Sequence, residues 1–177
     1  MIPDRVGMDK RPDSVDQRLE PGHLEFDSVV SSKRSRSKYA VAVVQDRTTR
    51  LVRAAIVPNL KPEGYAQTIL SLTKNFKLKS LTTDNGIENR HHQEITKLTK
   101  APVYFTDPYS SWQKGSVENA NKMIRRYFPK GTDFAKVSQE SIDEVIHRIN
   151  NKPRAILGYK SALQCAYEKG LFLEEVS

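Results

Sequence analysis

The chain has 177 residues, 37% of them hydrophobic and 28% charged, a net charge of +8 and one cysteine, Cys165. That length suits one domain with a core of its own, and no apolar run is long enough to cross a bilayer. A single cysteine excludes an internal disulfide and a cysteine-based zinc site, while the basic balance favours a polyanionic partner such as nucleic acid.

Residues 1–21 are polar, carry Pro3, Pro12 and Pro21, and lack sustained periodicity, which predicts a flexible tether. They also lack the apolar block of a signal peptide, and with the cysteine count this points to a reducing, cytoplasmic setting. From Gly22 the pattern changes. HLEFDSVVS alternates as a strand, with Leu24, Phe26, Ser28 and Val30 on one face and His23, Glu25, Asp27 and Val29 on the other. KYAVAVVQD and LVRAAIVPN are two further strands, and the short turns between all three predict an antiparallel meander. Pro62 opens a helix with Tyr65, Ile69, Leu72 and Phe76 as its apolar stripe.

KLKSLTTD is a fourth strand, RHHQEITKLTK a short helix, and APVYFTD a fifth strand. A helix is expected from about Ser116 to Tyr127, another from Ser138 (a plausible cap) to Asn151, and a last one from Ser161 to Lys169, ended by Gly170. Three antiparallel strands followed by two that alternate with helices make a five-stranded mixed α/β sheet of the ribonuclease H-like kind. That order puts the first strand centrally, beside the fourth. Asp27 in mid-strand and Asp84 at a strand end then become neighbours. The expected core is residues 22–177.

Glu118 is an acid near the start of a helix otherwise crowded with bases and amides, and it makes sense if it holds a cation. Carboxylates brought together repel unless a cation offsets their charge. Asp27, Asp84 and Glu118 are thus candidate catalytic and metal-binding residues for magnesium, which prefers oxygen ligands. Each also has an ordinary reading: Asp84-Asn85-Gly86 is a turn signal, and Glu118 suits a helix dipole. Aspartate is disfavoured within a strand, which makes Asp27 the hardest of the three to dismiss. Glu25, on Asp27's strand face, is either an auxiliary ligand or a charge bordering the site. Asp107 and Asp46 end strands.

On the helical wheel Glu118, Asn121, Lys122 and Arg125 share one side, and Val117, Ala120, Ile124, Tyr127 and Phe128 make the core side. Arg125 stands about 10 Å along the axis from Glu118, placed to hold a phosphate. Lys114 lies in the loop just before, and Lys114, Asn121, Lys122 and Arg125 are the candidates to position DNA. Trp112 either stacks on a base or fills core. Lys33, Arg34 and Arg36 form a basic turn suited to a DNA backbone. Glu88 and His92 lie four apart after the Asp84 turn and are candidates for supporting the site.

The chain resembles a DDE transposase or integrase catalytic core, and most of all the IS-thirty family of bacterial insertion-sequence transposases. The resemblance runs from Gly22 to about Gly170 and rests on GHLEFDS, TTDNGIENRHH and SSWQKGSVENANKMIRRYFPKGTDF, the last being the most specific. Thirty-three residues lie between Asp84 and Glu118, the family's spacing, and Arg125 falls where the wider superfamily carries a lysine or arginine. Leu24 and Phe26 replace a usual tryptophan and glycine, and Asn89 a usual aromatic. The resemblance implies Asp27, Asp84 and Glu118 as the catalytic trio, two magnesium ions with manganese as a substitute, and cleavage and strand transfer of insertion-sequence ends. It also implies a homodimer or larger synaptic complex on DNA, in the bacterial cytoplasm and at the nucleoid. The family's amino-terminal helix-turn-helix region has no counterpart here, so a catalytic fragment or truncated copy is expected. The rival readings are a ribonuclease H-type nuclease and a non-catalytic DNA-binding remnant.

Overall fold

A computed structural model describes residues 2–174. Its centre is a six-stranded sheet in the order β1-β6-β5-β2-β3-β4. The strands are β1 (Val6–Gly7), β2 (His23–Val30), β3 (Ala40–Asp46), β4 (Val52–Val57), β5 (Ser80–Thr83) and β6 (Val103–Phe105). β2, β3 and β4 pair antiparallel, as the short turns predict. β2, β5, β6 and β1 pair parallel. The first long strand does lie beside the strand that precedes Asp84.

Five α-helices cover the sheet: α1 (Pro62–Thr73), α2 (His92–Thr99), α3 (Gly115–Tyr127), α4 (Gln139–Asn151) and α5 (Ala162–Glu168). Pro62 stands in the first turn of α1, where a missing N–H costs nothing. Ser138 caps α4 through the Ser141 amide, and Ser161 caps α5 in a reciprocal box with Gln164. Cys165 is buried in α5, as a small apolar residue would be. No helix among the described residues is long and apolar enough to cross a membrane.

The sheet separates two apolar layers. Leu24, Phe26, Ala42, Val44 and Leu81 pack on one face with Tyr65 and Ile69 of α1. Val29, Val41, Val43 and Ala54 pack on the other with Val117, Ala120 and Ile124 of α3 and Ile142, Ile146 and Ile149 of α4. β3 is buried on both faces, which explains why its sequence is nearly continuous in apolar residues.

Two expectations are corrected. Residues 2–21 are not a loose tether. Val6 and Gly7 pair with Tyr104 and Phe105 and supply the sixth strand. Arg11 is buried, its guanidinium donating to Thr82 Oγ1 at 3.0 Å and Asp16 Oδ1 at 2.5 Å, and Val15 is also buried. A polar segment holds here through side-chain bonds and one sheet edge, neither of which leaves a periodic signature. Tyr127, placed on the core side of its helix, is 48% exposed, because the helix ends there and its last turn overhangs the layer.

Candidate active site

The parallel register sets the geometry. Glu25 is level with Thr82 across the β2–β5 pair, so Asp27 in the middle of β2 and Asp84 just past the end of β5, each two residues further on, stand side by side. Both lie on the face that α3 covers.

α3 is fixed to that face by Glu25. Its side chain is fully buried and accepts from the Val117 amide in the first turn at 2.8 Å, while its other oxygen pairs with Arg47. A carboxylate facing a helix N-terminus satisfies an orphan donor and complements the dipole. Glu25 is therefore the support of the helix, with both oxygens spent.

The anchored helix delivers two side chains to Asp27. Lys114, just before α3, is 3% exposed, and its ammonium lies 3.5 Å from Asp27 Oδ1, 3.2 Å from Asp84 Oδ2 and 3.5 Å from the Phe26 carbonyl. Asn121 Nδ2 donates to Asp27 Oδ2 at 3.1 Å. The Oδ1 of Asn121 is buried beside Asp27 with no partner. An acceptor left open there suits an incoming cation or water.

Glu118 is four residues after Lys114 and three before Asn121, so it shares their helix face. It is half-buried in the first turn. Among the described residues, however, no group of three acidic, histidine or cysteine side chains stands together as a metal cage. What is assembled is the Asp27–Asp84 pair with a lysine ammonium between them and Glu118 on the adjoining helix face. Two oxygen donors with an open acceptor beside them fit a hard cation, and Glu118 stands apart from the pair on the adjoining helix face.

Asp84 opens the predicted turn, accepting from the Gly86 amide at 2.9 Å and from Asn89 Nδ2. The Glu88 carboxylate folds over Gly86, where a Cβ could be added only by displacing that side chain. Glu88 thus borders the site. Burial raises its pKa, as does the charge of Asp84 and Asp27. Asp27 is likewise pushed up by burial, opposed by Lys114 and the Ser28 amide, with Asp84 adding repulsion.

The other candidates are dispersed. His92 is buried under the sheet edge, its Nε2 on the Pro3 carbonyl and its ring edge-on to Phe105. It does not meet Glu88, because Glu88 lies in a separate turn before α2 begins. Arg125 donates to the carbonyls of Val30, Phe128 and Pro129 and ties the end of β2 to α3. Lys122 and the Lys33–Arg36 turn are exposed, with Arg36 in a left-handed conformation. Trp112 is 74% exposed in the 107–115 loop, which Gln113 closes with two bonds to Asp107, and so is not core. Sequence reasoning missed the anchoring by Glu25 and the burial of Lys114. The available signal was an acid alternating with buried strand residues, which demands a buried partner.

No family model matches the chain. It is 38% identical over 167 residues to the transposase for insertion sequence element IS1086 of Cupriavidus metallidurans, covering 92% of this chain and 48% of that protein. It is 36% identical over 164 residues to the transposase for IS4351 of Bacteroides fragilis (89% and 48%), and 36% over 172 residues to transposase InsI for IS30A of Escherichia coli (94% and 43%). The chain spans about half the length of these relatives. In structure it is similar to the catalytic core domain of BIV integrase, with a TM-score of 0.65 at 18% identity, covering 84% of this chain and 95% of that one. The chain is thus related to the insertion-sequence transposases of the IS-thirty family and has the ribonuclease H-like fold of an integrase catalytic core.

Proposed function

We propose that this chain is the catalytic part of a transposase that cuts and joins DNA by metal-dependent phosphoryl transfer, with Asp27, Asp84 and Glu118 as the catalytic and metal-binding residues. The observation that carries the reading is the convergence of Asp27, in mid-strand, and Asp84, just past the end of the adjacent strand, under a helix that bears Glu118. Two magnesium ions, or manganese in their place, would supply charge relief to the attacking and leaving oxygens of the phosphodiester. Asn121 orients Asp27 through its amide, and Glu88 walls the site from the Asp84 side. Glu118 completes the donor set by turning toward Asp27 from its place between Lys114 and Asn121.

DNA would run from this pocket along α3. The exposed Trp112 flanks one end, and Lys122 and the basic turn of Lys33, Arg34 and Arg36 lie toward the other, next to the C-terminal end of α3 that Arg125 fastens to β2. Insertion-sequence ends as substrate, a homodimer or larger synaptic complex, and a place in the bacterial cytoplasm at the nucleoid belong to the same reading.

The test is cleavage and strand transfer of a labelled element end with and without magnesium. Glu118→Gln is expected to lose at least about 10²-fold in rate while remaining folded. Full activity in that variant sinks the assignment. Cleavage of an RNA–DNA hybrid in preference to DNA turns it toward a ribonuclease H-type nuclease, and metal-independent binding with no cleavage toward a DNA-binding remnant.

Lys114 makes a separate prediction. In metal-free buffer its ammonium stands in for the missing counter-charge of the two aspartates. Lys114→Met is expected to cost about 1–3 kcal/mol there, at the low end because Asp84 is partly exposed. Millimolar magnesium should restore more stability to the variant than it adds to the unaltered chain. Denaturation midpoints that coincide in both buffers would remove Lys114 from this role.

A further inference from the structure

A second concentration of charge lies behind α3. Five arginines gather there: Arg11, Arg18, Arg47, Arg50 and Arg154. Arg11 and Arg47 share the carboxylates of Asp16 and Glu25. The other three have no carboxylate in ion-pair contact among the described residues. Arg18 donates to the Arg47 carbonyl and to Ser116 Oγ, both at 2.6 Å. Arg50 donates to the same hydroxyl at 2.9 Å. Arg154 reaches only the Ile149 carbonyl, at 3.4 Å. Of the other acids nearby, Asp46 spends its oxygens on the amides of Gly22, Thr48 and Thr49 and on the Thr49 hydroxyl, and Glu168 pairs with Lys160.

This is an expensive arrangement. The three side chains are half-buried, and burying a charge without a direct ion-pair partner is unfavourable, though Glu25, Asp16 and Asp46 offset part of the charge of Arg18 and Arg50 from a distance. Arg18 and Arg50 also crowd the N-terminal end of a thirteen-residue helix, where the dipole disfavours cations. Burial lowers the pKa of Arg18 to about 10, with Arg50 and Arg47 adding to the effect, and burial and then Arg50 lower that of Arg154. The Nε of Arg47, a residue only 5% exposed, has no acceptor. Arg18 also lines an open cavity of about 560 Å³ whose wall carries Lys169 and the Lys160–Glu168 ion pair. A bound anion would offset the mutual repulsion of these arginines and complement the helix start.

We propose that Arg18 and Arg50, which meet at Ser116, form with the neighbouring Arg154 a second phosphate-binding site that takes a phosphodiester of DNA. At 100° per residue Ser116 points nearly opposite to Lys114 and Glu118, so this site is on the far side of α3 from the two aspartates. DNA held there is a segment other than the one in the carboxylate pocket. The choice of DNA as the source of the phosphate rests on the function proposed above.

The experiment measures binding of a duplex oligonucleotide to the 177-residue chain by fluorescence anisotropy, without divalent metal, between 50 and 200 mM salt. Arg154→Gln is the principal variant, since that side chain makes a single weak internal contact; Arg154→Lys retains the charge and should lie between. One lost phosphate contact makes the fall in affinity over that salt range about threefold smaller than in the unaltered chain. An unchanged salt dependence in Arg154→Gln, with normal binding by the parent, overturns this site and leaves the carboxylate pocket untouched. If 10 mM inorganic phosphate raises the melting temperature of the parent but not of Arg154→Gln while the DNA salt dependence stays the same, the ligand is a small anion and the DNA assignment fails. No DNA binding by the parent chain would defeat the proposed function as well.

Discussion

Glu25→Ala is expected to destabilise the fold by about 3–5 kcal/mol, the range for breaking a buried ion pair from one side. Two groups lose their partner at once. Arg47 keeps a buried guanidinium with only Asp16, itself 61% exposed, to offset it. The Val117 amide in the first turn of α3 loses its acceptor. Glu25→Gln leaves an acceptor for Val117 and should cost less. The pair Glu25→Leu with Arg47→Met should recover much of the loss, because matched apolar replacements of a buried ion pair are often neutral or better. Urea denaturation of the four proteins decides the point. A cost under about 1 kcal/mol for Glu25→Ala would mean that α3 is held by its apolar face alone. The link to function is direct, since α3 carries Lys114, Asn121 and Glu118, and a shift of the first turn moves all three away from Asp27.

The parts of this architecture written in local signals were readable from the sequence. Pro62, Ser138 and Ser161 mark helix starts by backbone chemistry that depends on nearest neighbours only. The change from alternating to helical period after Asn59 gave the order of elements, and that order places Asp27 beside Asp84. The parts that depend on long-range pairing were not readable. A two-residue strand such as Val6–Gly7 is too short to carry a period. Arg125 and Lys114 read as free cations because a lysine or arginine looks the same whether it meets solvent, a carbonyl or a buried carboxylate; only the fold gives Arg125 the Val30 carbonyl and Lys114 the two aspartates. The arginine cluster at Ser116 combines residues from four separate segments, with spacings that form no motif.

Asp27→Asn is expected to remove about 10³-fold or more of cleavage activity, equivalent to roughly 4 kcal/mol of transition-state stabilisation, while leaving the metal-free chain at least as stable as before. The two halves of that expectation have one cause. Burial is the largest influence on Asp27 and raises its pKa despite Lys114 and the Ser28 amide. A carboxyl whose folded pKa exceeds its unfolded value favours folding when protonated. Its contribution is complete below the ordinary carboxylate range near pH 4 and is lost as pH rises through the higher folded value. At neutral pH the unaltered chain therefore holds an ionised group that the fold disfavours, which is the condition for a site that waits for a cation. Asparagine keeps the shape and an acceptor for Ser28 N and the Lys114 ammonium, carries no charge to penalise, and its amide nitrogen can donate to the open Oδ1 of Asn121 once that amide turns over. Melting temperatures of both chains from pH 4 to 8 without divalent metal should diverge in favour of Asp27→Asn as pH increases, and added magnesium should stabilise the unaltered chain more than the variant. Activity within tenfold of the parent, or a variant less stable at every pH, would show that Asp27 serves the fold and not the chemistry.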